Sequence, residues 1–251
     1  MMAHVAEIWR HPIKSHGREP LLHVTLRADE CLPYDRHWAV AHEATKLEHS
    51  NRWVPCSNFS RGAKAPSLMA LEASFDAASN TVTLTHPSQP GVTFNPDRAE
   101  DHARFIEWVI PLCPANRAAP VRIVKADRGM TDTDFPSVSL INLASHAAVE
   151  KQLGQELSPL RWRGNLFLTG FDAWEEKDWV GKTVRVGEVE IEVREEITRC
   201  LATAANPRTG QRDADTLGAL NQGWDHQEFG VYGYVTKPGR VHVDSPVEVI
   251  A

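Results

Sequence analysis

Cys200 is the residue of this chain whose setting most favours chemistry. It lies in the stretch ITRCLATAANPRTG, between the basic Arg199 and a polar segment that favours turns. The preceding VEIEVREEI alternates as a strand does, and NPRTG indicates a turn. Cys200 is therefore predicted at the exit of a strand into a loop, where functional residues concentrate. A thiol there could be a metal ligand, a nucleophile or, as is more frequent for a free cysteine, a small buried hydrophobe.

Because neighbouring residues in a strand point to opposite faces, Arg199 is not expected to act on the Cys200 thiol. The spacing of the other cysteines argues against several kinds of metal site and against disulfides. The chain has four cysteines and 12 histidines, but no C-x-x-C pair and no H-E-x-x-H. Zinc sites and iron–sulfur clusters of ordinary spacing are therefore unsupported, as is a disulfide framework. Cys31, Cys56 and Cys113 are interpreted as structural.

Several large enzyme classes also lose support. The glycine-rich motifs of mononucleotide and dinucleotide binding and the G-x-S-x-G nucleophile motif do not occur. What remains is a set of basic residues near predicted strand ends. Lys14 and Ser15 follow the first predicted strand, and Arg36 precedes another. Lys and Arg can hold an anion through charge-assisted hydrogen bonds, although a solvated surface charge is the alternative interpretation.

The segment LRWRGN contains two more basic residues. If it is a strand, Arg161 and Arg163 lie on one face, and Leu160 and Trp162 lie on the other. The arrangement would place a basic face opposite a core face. The alternative is an edge-strand charge pattern that discourages aggregation.

The composition indicates an ordinary globular protein. The 251 residues are 42% hydrophobic and 24% charged, with a formal net charge of −6. No basic excess favours nucleic acid as a partner. No apolar run is long enough to cross a bilayer, and the amino terminus lacks the apolar region of a signal peptide. The sequence predicts a soluble, cytoplasmic protein that binds neither nucleic acid nor membrane.

Short apolar segments separated by turn residues predict a chain built mainly of strands. The pattern is typical of antiparallel barrels rather than of a doubly wound sheet, so the predicted fold class is mainly β with a few helices (α+β). The predicted strands are 5–9, 22–26, 37–41, 81–85, 121–124, 166–169, 183–186, 189–193, 231–235, 241–243 and 247–250.

Three helices are predicted. The first is capped at Asn95 and stopped by Pro111. The second covers 145–153 with Gly154 as its carboxyl-terminal cap, and a shorter third covers 216–221. A stretch at 126–137, rich in Asp, Thr, Gly and Pro, is interpreted as the join between two domains, 1–125 and 126–251.

Three stretches together resemble the MOSC proteins, named for the C-terminal domain of molybdenum cofactor sulfurase. They are HPIKS at 11–15, YDRHWAV at 34–40 and the block at 161–210 that contains Cys200. The closer likeness is to the subgroup that includes the amidoxime reducing components. The resemblance implies an N-terminal β-barrel-like domain at 1–125, a MOSC β-barrel domain at 126–251, and a molybdopterin cofactor between them.

The resemblance also implies the residues of the site. Cys200 matches the family's cysteine ligand of molybdenum, which would also make it the catalytic residue. A soft thiolate suits a metal that already carries soft sulfur ligands. The positions that match cofactor-binding residues are Lys14, Ser15, Arg36, Ser137, Ser139, Arg163 and Asn165, together with Cys200 itself.

By the same resemblance, the chain is expected to be a molybdenum-dependent oxidoreductase that reduces small N-hydroxylated compounds such as amidoximes, hydroxylamines or N-hydroxylated bases. Its electrons would come from a separate ferredoxin-, flavodoxin- or cytochrome b5-type donor. Two alternatives stay open. One is a sulfur carrier that uses a Cys200 persulfide, although the chain has no room for a pyridoxal phosphate sulfurase domain. The other is a protein that binds or delivers the cofactor without turnover.

Overall fold

The protein is described from a computed structural model, which covers residues 2–46 and 52–250. Strands make up 36% of it and helices 23%, so the predicted mainly-β class is confirmed. The strands are β1 (His4–Arg10), β2 (Glu19–Leu21), β3 (His23–Leu26), β4 (Trp38–His42), β5 (Glu72–Asp76), β6 (Thr81–His86), β7 (Gln89–Phe94), β8 (Pro120–Lys125), β9 (Val138–Asn142), β10 (Leu166–Thr169), β11 (Thr183–Val186), β12 (Val189–Thr198), β13 (Glu228–Lys237), β14 (Gly239–His242) and β15 (Val247–Val249). The α-helices are α1 (Ala99–Val109), α2 (Leu143–Leu153) and α3 (Thr216–Trp224).

Eight strands form the main sheet, in the order β15-β11-β12-β13-β9-β10-β1-β2. Its pairs are antiparallel except β9 and β10, which run parallel with α2 as their crossover. The alternating apolar residues of the two longest strands, β12 and β13, pack into the largest core cluster. Within residues 2–46 and 52–250, the paired strands do not form a closed ring, but backbone hydrogen bonds of Val5 with Asp244 and Ser245 connect β1 to the segment before β15.

The two halves of the chain share the main sheet. β1 pairs antiparallel with β10, and Ile8 lies opposite Leu166. β2 extends the same edge by pairing with β1. The first strands of the chain are therefore built into the sheet of the carboxyl-terminal half, and residues near the end of β1 lie beside residues of that half. The domain boundary at 125/126 stays a prediction.

The rest of the amino-terminal half packs around its own core. It contains the three-stranded sheet β5-β6-β7 and the pair β4 and β8, while β3 pairs with β14 from the other half. Helix α1 covers this core with Phe105 and Val109, both fully buried and four residues apart on one helix face. None of the helices in the described part of the chain is long and apolar enough to cross a membrane.

The predicted helices at 145–153 and 216–221 are confirmed, and capping residues mark their ends. Asn142 accepts a hydrogen bond from Ala144 N at the start of α2, and Gly154 ends it with a left-handed φ of 67°. Asp215 caps α3 through Gly218 N, and α3 runs on to Trp224. The predicted cap of α1 is wrong. Asn95 accepts from Asp97 N at 2.9 Å and forms a turn instead, so the helix begins only at Ala99.

Candidate cofactor and metal site

A cavity of about 380 Å³ lies between residues of the two halves and contains Cys200. We call it the Cys200 cavity. The amino-terminal half contributes Lys14, Arg36 and the segment around Arg61, and the carboxyl-terminal half contributes the end of β12 and Tyr232 from β13. Its charged wall consists of Lys14, Arg36, Arg61, Asp132, Arg161, Arg163, Glu195, Glu196 and Arg199.

Cys200 lies just beyond the end of β12, as predicted. Its backbone is extended, with φ −120° and ψ 174°, and it precedes a 3-10 helix at Leu201–Ala204. Thr203 donates from its backbone N and from Oγ1 to the Cys200 carbonyl oxygen, each at 3.1 Å. The side chain is exposed and forms no disulfide. The fold therefore ties down the backbone of Cys200 and leaves its thiol at the cavity.

Arg199 also lines the cavity, which the sequence did not predict. Strand alternation fails as a guide here because β12 ends at Thr198. The guanidinium donates from Nε to Phe229 O and from Nη1 to Trp162 O, each at 2.8 Å. Burial lowers the pKa of Arg199 to about 10, although its interactions with Tyr232 and Cys200 raise it. Arg199 thus anchors the chain immediately before the thiol.

Arg161 anchors the chain immediately after the thiol. It is 1% exposed and donates from Nη1 to Thr203 O at 2.7 Å, while Nη2 donates to Asp213 at 3.2 Å. The conditional strand prediction for this segment is wrong. Ser158 caps a 3-10 helix at Pro159–Trp162, and the side chain of Arg161 turns inward instead of sharing a strand face with Arg163.

Arg163 carries a positive charge that the described residues only partly satisfy. Its backbone is left-handed, with φ 51°, at the end of that 3-10 helix. Nη2 donates to Gly17 O at 3.3 Å, but Nη1 is buried and has no hydrogen-bond partner in the described part of the chain. Burial lowers the pKa of Arg163 to about 9, and the nearby Arg36 and Arg18 lower it further. An anion in the cavity would accept a hydrogen bond from Nη1 and would stabilise the charged guanidinium, which raises its pKa.

Arg36 is held in place by a buried carboxylate. It forms an ion pair with Asp35 and donates from Nη2 to Arg163 O at 2.8 Å. Burial alone would raise the pKa of Asp35, but Arg36 and hydrogen bonds from His11 outweigh it and lower the pKa. Lys14 donates from Nζ to Met130 O and to Asp132, each at 2.6 Å. The structure therefore brings Lys14, Arg36, Arg163 and Cys200 to one cavity.

The other predicted positions do not line this cavity. Ser139 and Asn165 bond to each other, with Ser139 Oγ donating to Asn165 Oδ1 at 2.9 Å. Ser137 is buried and accepts from Thr133 at 2.8 Å. Ser15 has a left-handed φ of 62°. Ser139 lies on β9 and Asn165 immediately precedes β10, so their hydrogen bonds link the two strands. A cofactor-binding role for these four residues stays a prediction.

Sequence reasoning missed further residues of the wall. Tyr232 pairs with Glu195 across β13 and β12, and both line the cavity. Cys56, interpreted from sequence as structural, lines it as well and accepts a contact from Arg61 Nη1 at 3.2 Å. Cys56 begins a 3-10 helix of only three residues, and Arg61 lies in an irregular segment, so neither belongs to a periodic pattern. Their place at the cavity depends on long-range packing, so no local signal marks them.

The donor set fits an anionic cofactor that carries its own metal ligands. Six Lys and Arg side chains and three carboxylates line the cavity, so its wall has an excess of positive charge. No group of three or more His, Cys, Asp and Glu side chains that could hold a metal occurs among the described residues. Of the two cysteines that line the cavity, Cys200 is exposed and Cys56 is half-buried, so Cys200 is the more accessible soft ligand. A metal there would need further ligands from a cofactor.

The fold and the family comparisons agree on the class of protein. Residues 2–114 match the MOSC N-terminal beta barrel domain, and residues 128–248 match the MOSC domain. The chain belongs to the MOSC family.

Its relatives include the mitochondrial amidoxime-reducing components. Component 1 of Danio rerio is 23% identical over 294 residues, covering 97% of this chain and 83% of that protein. Component 2 of Homo sapiens is 28% identical over 127 residues, covering 45% of this chain and 37% of that protein. Among solved structures, the YUAD protein from Bacillus subtilis has a TM-score of 0.49 at 11% identity, covering 99% of this chain and 96% of that chain.

Proposed function

We propose that this chain is a molybdenum cofactor-dependent oxidoreductase that reduces small N-hydroxylated compounds with electrons from a separate redox partner. The observation that carries the proposal is the exposed thiol of Cys200 in a cavity whose wall has an excess of positive charge. The likeness to the amidoxime-reducing components supports the reaction class. In that reaction, R–NHOH, two electrons and two protons give R–NH2 and water.

The cations of the cavity would hold the anionic part of the cofactor. Arg163 has a buried Nη1 free to donate, and Arg36 lies directly against its carbonyl. Lys14 lies on the same wall and is paired with Asp132. A phosphate at this wall would accept charge-assisted hydrogen bonds from these groups. When bound, the cofactor supplies the two-electron chemistry at molybdenum, and Cys200 supplies one thiolate ligand.

The remaining residues of the cavity position the ligand and handle protons. Arg199 and Arg161 fix the chain on either side of Cys200, so they would position the thiol for the metal. Glu195 is a candidate proton donor on the wall, since burial and the nearby Asp134 raise its pKa. Burial also raises the pKa of Tyr232, so its hydroxyl stays protonated and can donate a hydrogen bond to substrate.

The test is turnover by protein purified from a host that makes molybdopterin. We expect molybdenum in the wild-type protein and reduction of benzamidoxime to benzamidine with an artificial electron donor. Cys200→Ala should abolish turnover, whereas Cys31→Ala, which changes a cysteine that does not line the Cys200 cavity, should retain turnover. Full activity of Cys200→Ala would overturn the proposal.

A sulfur carrier is the second candidate, because an exposed thiol without a disulfide partner can also hold a persulfide. The same preparation distinguishes the two functions. A persulfide on Cys200, found by mass spectrometry in protein that contains no molybdenum and reduces nothing, would favour the carrier. Metal together with turnover would favour the reductase.

A further inference from the structure

A second cavity, of about 240 Å³, lies beside the Cys200 cavity and has no role in the function proposed above. The two cavities share one wall residue, Arg61, which is half-buried. The second cavity is bounded by the segment after β4 and by the loop between α1 and β8, which contributes Pro114 and Arg117. Lys64 lies on its rim.

Positive charge dominates this second cavity. Arg61, Lys64 and Arg117 line it, and none of the carboxylates in residues 2–46 and 52–250 does. Across residues 2–46 and 52–250, none of these three cations forms an ion pair with a carboxylate. Burial raises the pKa of the Cys113 thiol on the same wall to about 11, so it is neutral near pH 7. The other ionisable side chain, His42, is engaged with Ser57 O at 3.0 Å.

The inner surface of the second cavity is apolar. Phe59 and Ala65 are buried beneath it, and Pro114 and Ala118 line it as well. A volume of about 240 Å³ is below the range of cavities that enclose a whole drug-sized ligand, so it suits one small group. An apolar inner surface with three cations around it matches a group that has a small hydrophobic body and a negative charge.

We propose that the second cavity is a subsite for the phosphate or carboxylate group of a small organic molecule. Since Arg61 lines both cavities, the subsite adjoins the Cys200 cavity, and the proposal includes that the rest of the molecule extends toward Cys200. The subsite itself stands on the geometry and charge of this cavity. Its consequence for catalysis rests on the proposed function: N-hydroxylated substrates that carry an anionic group are preferred over neutral ones.

Binding tests the subsite directly. Phenyl phosphate and benzoate are titrated into the purified holoprotein by calorimetry, and the two probes show which anion the cavity takes. We expect at least one to bind, and we expect Lys64→Ala/Arg117→Ala to weaken it about tenfold or more, because two charge-assisted contacts are lost. Arg98→Ala removes an exposed cation outside the cavity and should leave binding unchanged.

Two binding results would overturn the subsite. One is an affinity that does not change in the double variant, which would place the anion elsewhere. The other is no binding of either probe, which would make the three cations an ordinary solvated surface.

Kinetics test the consequence for substrate choice. The ratio of kcat/KM for 4-carboxybenzamidoxime to that for benzamidoxime should fall about tenfold in Lys64→Ala/Arg117→Ala and stay constant in Arg98→Ala. An unchanged ratio would overturn the preference. If neither compound is reduced by the wild-type protein, the proposed reductase function fails, and the binding experiment alone still decides the subsite.

Discussion

Arg161 donates from Nη1 to the carbonyl oxygen of Thr203 at 2.7 Å and so fixes the short helix that follows Cys200. Arg199 makes the matching contact before the thiol, from Nη1 to Trp162 O at 2.8 Å. The Cys200 thiol is therefore exposed between two anchored segments. If Cys200 is the metal ligand proposed above, this anchoring pre-orients it and lowers the entropic cost of binding the metal.

Arg161→Met is expected to loosen the segment after Cys200. The substitution leaves the carbonyl of Thr203 without its buried donor and should cost about 2–3 kcal/mol of unfolding free energy. Hydrogen exchange at residues 201–205 should quicken as well. Urea unfolding and exchange monitored by mass spectrometry measure the two effects. Arg122→Ala, at an exposed position on β8, is the control, and equal effects of both substitutions would contradict the anchoring role.

The turn at Gly210 is expected to require glycine because it presses against the other half of the chain. Gly210 has a φ of 71°, and a Cβ there would lie 2.6 Å from Ser67 Cα. Gly210→Ala should therefore cost about 2–3 kcal/mol of unfolding free energy by combining backbone strain with a clash. Gly154→Ala is the matched control, since Gly154 has a φ of 67° with nothing within 4 Å.

Strain alone should limit the cost of Gly154→Ala to about 1 kcal/mol. Urea unfolding of both variants gives the comparison. Equal costs would show that the contact between Gly210 and Ser67 does not press the two segments together.

Two buried histidines should make the protein less stable in mild acid. Burial lowers the pKa of His11 to about 3 and that of His16 to about 4, both from 6.5. Arg163 lowers both further, and Arg36 also acts on His11, while Asp35 and the Lys14 carbonyl oppose the change. Below pH 6.5 the unfolded chain therefore takes up protons that the folded chain does not. Stability is highest above pH 6.5 and falls as the pH drops toward 4.

Between pH 7.5 and pH 5, each of these histidines should account for about 2 kcal/mol of the loss in unfolding free energy. Urea unfolding at the two pH values measures the total. In His11→Gln, which cannot be protonated, the difference between the two pH values should be smaller by about that amount. An unchanged difference would show that His11 does not remain neutral in the folded chain.

Sequence patterns predicted the parts of this fold whose signals are local. Gly154 is predicted as the carboxyl-terminal cap of its helix and ends that helix in the structure. β9 was missed because all five residues of VSLIN are buried between β10 and β13, and a strand buried on both faces shows no alternation. Ser158 and Pro159 begin a 3-10 helix, a signal that the alternating basic residues of LRWRGN concealed.

The candidate site could be predicted only in part, because only some of its residues carry a local sequence signal. Cys200 follows a long alternating strand, so its position could be predicted from the residues around it. Arg61 and Asp132 reach the cavity from irregular segments far away in sequence, where only the packing of the two halves brings them to Cys200. The predicted direction of one side chain was also wrong. Arg199 was expected to point away from the thiol, but the strand ends before it.

The central claim is that Cys200 gives its sulfur to molybdenum. X-ray absorption at the molybdenum edge counts the sulfur atoms bound to the metal, and it does so independently of turnover. We predict one fewer sulfur ligand in Cys200→Ser than in the wild-type holoprotein, and an unchanged count in Cys56→Ser, which alters the other cysteine of the cavity. An equal number of sulfur ligands in wild-type protein and Cys200→Ser, or wild-type protein without molybdenum, would contradict the claim.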